Sequence, residues 1–90
     1  MGAVANAIYA KLMAALTPTH IEIVDDSARH AGHAGAAPSG ETHFNLAVES
    51  AAFAPLSRVE RQRLVLRLLA EELAGPVHAL SIRATAPGEG

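Results

Sequence analysis

Glu71-Glu72-Leu73-Ala74-Gly75-Pro76-Val77-His78-Ala79-Leu80-Ser81-Ile82 is the stretch from which the fold can be worked out. A helical pattern stops at Gly75 and Pro76, as a C-terminal stop should, and an alternating pattern opens at once from Val77. The Gly-Pro break fixes the direction in which the new strand leaves. It places His78 at a strand mouth, where an imidazole is held at a rim; the parity His78 shares with Leu80 and Ile82 leaves a core position as the alternative.

Working outward toward the N-terminus, Ser57-Arg58-Val59-Glu60 fits a capping box, and Val59, Leu66, Leu69 and Leu73 form one apolar stripe along the helix that ends at Gly75. Phe53 and Leu56, in the connector before it, are expected to close the core. From His43 the period is two: Phe44, Leu46 and Val48 face one way, and His43, Asn45, Ala47 and Glu49 the other. Residues 26–42 are rich in small residues and lack a period. They read as a flexible loop, longer than the roughly 12–15 residues usual for a loop with no function. A shorter alternation places a strand over residues 20–25, with Ile21 and Ile23 on one face. Pro18 stops a first helix over residues 3–16, whose stripe is Val4, Ile8, Leu12 and Leu16 with Met13 beside it. Residues 86–90 read as a frayed tail.

The order is therefore α-β-β-α-β, an α+β fold in a single domain over residues 1–90, with a three-stranded mixed sheet and its helices on one face. Strands one and two, directly joined, should be antiparallel. Strands two and three are joined through a helix, which calls for a right-handed parallel crossover. Parallel strands start at the same end of a sheet. His78, His43 and the loop that carries His30 and His33 should then share one rim, with His20 at the opposite end.

Composition bounds the function. Ninety residues, half of them apolar, suffice for one small core that buries about 60–65% of the unfolded surface. No cysteine is present, which excludes disulfides and thiolate metal sites made by this chain alone and leaves five histidines as its soft ligands. The start lacks a signal-peptide pattern and no run approaches the roughly 20 apolar residues of a membrane span, so a soluble, cytoplasmic protein with no membrane partner is expected. A net charge of −2 gives no general attraction to nucleic acid, and two Phe, one Tyr and no Trp leave little for base stacking. No P-loop and no recognisable nucleophile–base grouping points to an enzyme.

Three other features bear on chemistry. His30 and His33 form H-x-x-H in a Gly-rich loop, a pattern shared by solvated loops and metal sites. Gly32-His33-Ala34-Gly35 spells the GxxG of KH domains, but it lies between strands and holds no basic residue. Arg58, Arg61, Arg63 and Arg67 lie along the second helix among Glu60, Glu71 and Glu72. They read either as a solvated face, with Arg67 and Glu71 spaced for an i,i+4 pair, or as a stripe that docks DNA or a partner.

Taken together, Asp25-Asp26-Ser27, His30-Ala31-Gly32-His33, Glu41-Thr42-His43-Phe44, Ser50, Phe53, the helix residues 58–65, Val77-His78-Ala79-Leu80-Ser81-Ile82 and Thr85-Ala86-Pro87 resemble the BolA-like proteins over nearly the whole chain. Gln62 departs from the pattern, standing where many members of that family carry a histidine. The resemblance implies a fold similar to the class II KH domain and a function that depends on a partner. BolA-like proteins bind monothiol glutaredoxins and share a [2Fe-2S] cluster with them, in iron–sulfur trafficking and iron regulation. It further implies His78 as one cluster ligand and His30 as the second, with His33 as the alternative to His30. Thiolates would come from the glutaredoxin and glutathione, and no cofactor is expected in the isolated chain, a monomer or weak homodimer. Two imidazoles on one iron with thiolates on the other is an attested arrangement, and imidazole must be deprotonated to bind, so pH sensitivity is expected. The family also includes DNA-binding transcriptional regulators, which makes DNA, on Arg58, Arg61, Arg63 and Arg67, the alternative partner.

Overall fold

The structure, a computed structural model, describes residues 2–26 and 41–89. Helix α1, Ala3–Leu16, buries Ala5, Ile8, Leu12 and Leu16, one residue per turn along a single face. Thr17, in left-handed conformation, ends it just before Pro18. Strand β1, His20–Asp25, follows, then β2, His43–Glu49, one 3-10 turn at Ala51–Phe53, α2, Arg58–Leu68, α3, Ala70–Ala74, and β3, Ala79–Thr85.

The sheet order is β1-β2-β3, with β1 antiparallel and β3 parallel to β2. Its register builds rows across the strands: Ile23 pairs with Leu46 and Leu46 with Ile82, while Ile21 pairs with Val48 and Val48 with Ala84. These rows face the helices. Phe44, Leu46 and Val48 join Ile8, Leu12, Phe53, Val65 and Leu69 in the core, while Glu22, Val24, Asn45, Ser81 and Arg83 stand exposed on the other face. The expected mixed sheet with helices on one face is what forms, and Phe53 and Leu56 close the core as expected.

Three local expectations are corrected. The second helix is two segments, because the backbone at Leu69 leaves the helical region (φ −105°, ψ 20°) before helix resumes at Ala70. The pair expected between Arg67 and Glu71 would span that break; Glu71 instead pairs with Lys11 of α1 at 3.2 Å. The apolar stripe holds only in its second half. Leu69 is buried and Leu73 packs against the core as expected, but Val59 and Leu66 are exposed, and Arg61, Val65 and Leu68 take the inward positions before Leu69. A polar side chain occupies the first inward turn, so counting apolar residues selects the wrong rotation there. Finally, the tail described to residue 89 is not frayed. Ala86 is buried, and Glu89 turns back to accept from the Ala86 N–H and from Arg61.

Candidate functional site

The rim where β2 and β3 open is built mainly from backbone. β2 begins at His43 opposite Ala79 of β3. One residue earlier, the Thr42 carbonyl accepts from His78 N–H at 2.7 Å and from Ala79 N–H at 3.2 Å. On the other side, Asp26 N–H donates to the His43 carbonyl at 2.7 Å. Both ends of the segment between residues 26 and 41 therefore lie at this rim.

Glu41 fixes the returning end. Its backbone is left-handed (φ 63°), its N–H donates to Asp25 Oδ2, and its carboxylate accepts from Ala5 N–H in the first turn of α1. A carboxylate is favoured there because helix N-terminal N–H groups lack intrahelical acceptors and carry partial positive charge. Gly2, the N-cap residue, gives it room: a Cβ at that position would collide with the Glu41 carboxylate.

His78 reaches the rim by a different route. The Glu72 carbonyl accepts from both Gly75 and Val77, which turns the chain at the end of α3. Val77 is buried at 3% exposure and His78 is exposed, so the alternation slips at the strand mouth. The core position open to His78 by parity is taken by Val77. Its ring stands edge-on to that of His43, with centroids 6.3 Å apart, and the Thr42 hydroxyl lies 2.8 Å from His43 Nδ1. His43 is half-buried, and a shallow recess of about 240 Å³ beside it is lined by Asp26, Asn45, Ala79 and Ser81.

Of the residues singled out from sequence, His78 and His43 are brought together, and His20 lies at the far end of the sheet opposite Glu49. His30, His33 and the GxxG stretch lie outside the described residues. Among the described residues no group of three or more His, Cys, Asp or Glu could hold a metal. Sequence reading missed Thr42 as an anchor; its signal was its place next to the first residue of a clear alternating strand.

The arginines do not form one uniform stripe. Arg58, Arg63 and Arg67 are exposed, but the Arg61 side chain is only 13% exposed. Its guanidinium donates to the carbonyls of Leu56 and Ala84 and grips Glu89 with two bonds, of 2.6 and 2.8 Å. The hydrogen bonds from Arg61 hold the Glu89 carboxyl down at about 2, and the carboxylate in turn raises Arg61. Gln62, the departure noted in the sequence, donates from Nε2 to the Ile82 carbonyl and so satisfies part of the outer edge of β3. No described helix is long and apolar enough to cross a membrane.

Known proteins place this geometry. The profile of the family described as BolA-like protein matches residues 12–89. BolA-like protein 1 of Mus musculus is 49% identical over 88 residues, covering 98% of this chain and 61% of that protein. SufE-like protein 1, chloroplastic/mitochondrial, of Arabidopsis thaliana is 48% identical over 83 residues, covering 88% of this chain and 22% of that protein. The chain thus spans about 62% of the BolA-like protein 1 sequences it matches, the human one among them. The solved BolA domain of SufE1 from Arabidopsis thaliana superposes with a TM-score of 0.89 at 44% identity, covering 100% of this chain and 99% of that one. Profile, sequence and fold agree, and the chain belongs to the BolA-like family.

Proposed function

We propose that this chain is an adaptor that binds a monothiol glutaredoxin and lends His78, together with His30 or His33, to a shared [2Fe-2S] cluster, in cytoplasmic iron–sulfur trafficking or iron regulation. The observation that carries this reading is the state of His78: its backbone is clamped to the Thr42 carbonyl while its imidazole faces solvent at the rim from which the histidine-bearing segment departs. His30 lies four residues past Asp26 in sequence, in the segment that leaves this rim. The chain has no cysteine, so thiolates for the second iron come from the partner and glutathione. When bound, the cluster supplies electron-transfer chemistry; this chain supplies neutral imidazoles and a fixed strand mouth.

Reconstitution of the cluster on a mixture with a monothiol glutaredoxin and glutathione, followed by visible circular dichroism, tests the reading. His78→Ala should abolish the signal contributed by this chain, and an unchanged spectrum sinks the assignment. His30→Ala and His33→Ala, measured separately, identify the loop ligand.

A DNA-binding regulator is the second reading, favoured by the exposure of Arg58, Arg63 and Arg67. Arg61 is engaged by Glu89, so the helix offers three phosphate contacts while that pair holds and four once it is displaced. Fluorescence anisotropy across a salt series should then give a slope from this helix of about −2.7, and no steeper than about −3.6. Affinity that ignores salt rejects a phosphate-reading surface.

A further inference from the structure

Between the first turns of α2 and the outer edge of β3 runs a cleft of about 480 Å³, on a different part of the surface from the histidine rim. Arg58, Arg61 and Gln62 line it from the helix, Arg83 and Thr85 from the strand, and Glu89 from the returning tail. Three arginines against one glutamate make it locally basic in a chain of net charge −2.

Its acceptors are already committed. The carbonyls of Ile82 and Ala84, which line the strand wall, accept from Gln62 and Arg61. The Arg61 guanidinium is oriented by two backbone carbonyls, Leu56 at 3.1 Å and Ala84 at 3.2 Å, independently of Glu89. Its fork therefore stays aimed into the cleft when Glu89 leaves. Glu89 is held differently. It sits at the end of a short reverse turn with Gly88 at φ 89°, its side chain is 42% exposed, and besides Arg61 its carboxylate has one further donor, the Ala86 N–H at 2.9 Å, so its release gives up that one local bond together with the arginine pair.

Two parallel N–H···O bonds to one carboxylate are the geometry an arginine fork offers a planar carboxylate. We propose that the cleft between α2 and β3 is a receptor for a carboxylate on an acidic segment of a partner protein, and that Glu89 is its intramolecular placeholder. Arg61 grips the incoming carboxylate, while Arg58 attracts its acidic neighbours. A ligand must displace Glu89, whose tether keeps it at high local concentration, so the unsubstituted protein binds weakly.

Fluorescence anisotropy with a fluorescein-labelled tetraglutamate peptide tests this on the full chain, with tetraglutamine as the control. Glu89→Ala should bind tetraglutamate about tenfold more tightly than the unsubstituted protein. Adding Arg58→Gln to that variant should reverse most of the gain, and tetraglutamine should not bind. In the unsubstituted protein, titration with tetraglutamate should move the Glu89 carboxyl carbon in NMR toward the position of an unpaired glutamate. Equal affinity with and without Glu89, equal binding of tetraglutamine, or saturation that leaves the Glu89 carbon unmoved overturns the proposal. Tighter binding of a single-stranded oligonucleotide than of tetraglutamate also overturns it, in favour of a phosphate-reading cleft.

Discussion

The two ends of the sheet are tied by different groups and presented in opposite ways. Where β2 and β3 finish, side chains do the tying. Ser50 is fully buried; its hydroxyl donates to the Leu16 carbonyl at 2.6 Å and accepts from Ala52 N–H, and its own N–H donates to Thr85. Thr19 adds a bond from its hydroxyl to the Glu49 carboxylate at 2.7 Å. Where β2 and β3 begin, the strand mouths are held by main-chain groups, Thr42 accepting from residues 78 and 79 and His43 from Asp26. One end spends its side chains on the fold. The other stabilises its backbone and presents the His78 imidazole to solvent.

That contrast can be broken most severely at the closed end. Phe53 is fully buried beside Ser50 in the core, and Phe53→Ala should lower stability by about 3–5 kcal/mol, read from the urea midpoint at unchanged slope. Ser50→Ala comes next. It removes one hydroxyl yet strands two partners, the Leu16 carbonyl and the Ala52 N–H, and should lower stability by about 1–3 kcal/mol. A change below the measurement error would show that water replaces the hydroxyl and that this end is less closed than its hydrogen bonds indicate.

The tail clasp offers a test by acid. Glu89 has a folded-state value of about 2 against an ordinary 4.5, so its contribution is fully present above 4.5 and is lost as pH falls through about 2. Lowering pH through this window should therefore reduce stability more in the unsubstituted protein than in Glu89→Gln. The Glu89 carboxyl carbon should titrate near 2, and Arg61→Gln should return it toward the ordinary value.

The parts of the fold that sequence patterns specify directly are the ones that emerged as read. Alternation at Phe44, Leu46 and Val48 marks the core face of the central strand, and the capping box at Ser57 and Glu60 forms with bonds of 3.2 and 2.8 Å. Placing His78 beside His43 needed only connectivity and the parallel crossover rule. The misreadings share a cause. Arg61 and Gln62 look like surface residues but point at the edge of β3, and Glu89 looks like a loose end but fits that same arginine. Polar groups that face inward are recognised by their partners, and those partners lie 20 to 28 residues away in sequence. The Pro87-Gly88 pair was the local signal that the tail reverses. At the rim, Val77 displaces His78 from the core position because the turn after α3 ties its N–H to Glu72, a geometry that periodicity does not contain.

The smallest expected effect on stability is also the most decisive for function. His78 contributes a backbone N–H to the rim, which any residue but proline retains, and an exposed ring that stands 6.3 Å from that of His43. His78→Ala should therefore change stability by no more than about 0.5 kcal/mol, read from the urea midpoint at unchanged slope, while removing the cluster signal from the glutaredoxin mixture. A loss approaching that of Ser50→Ala would mean that the imidazole helps to hold the strand mouth, and that the two ends of the sheet are built alike. A neutral effect on folding with a lost spectrum would separate the two roles, because the fold would then depend on the main chain of residue 78 and the site on its side chain.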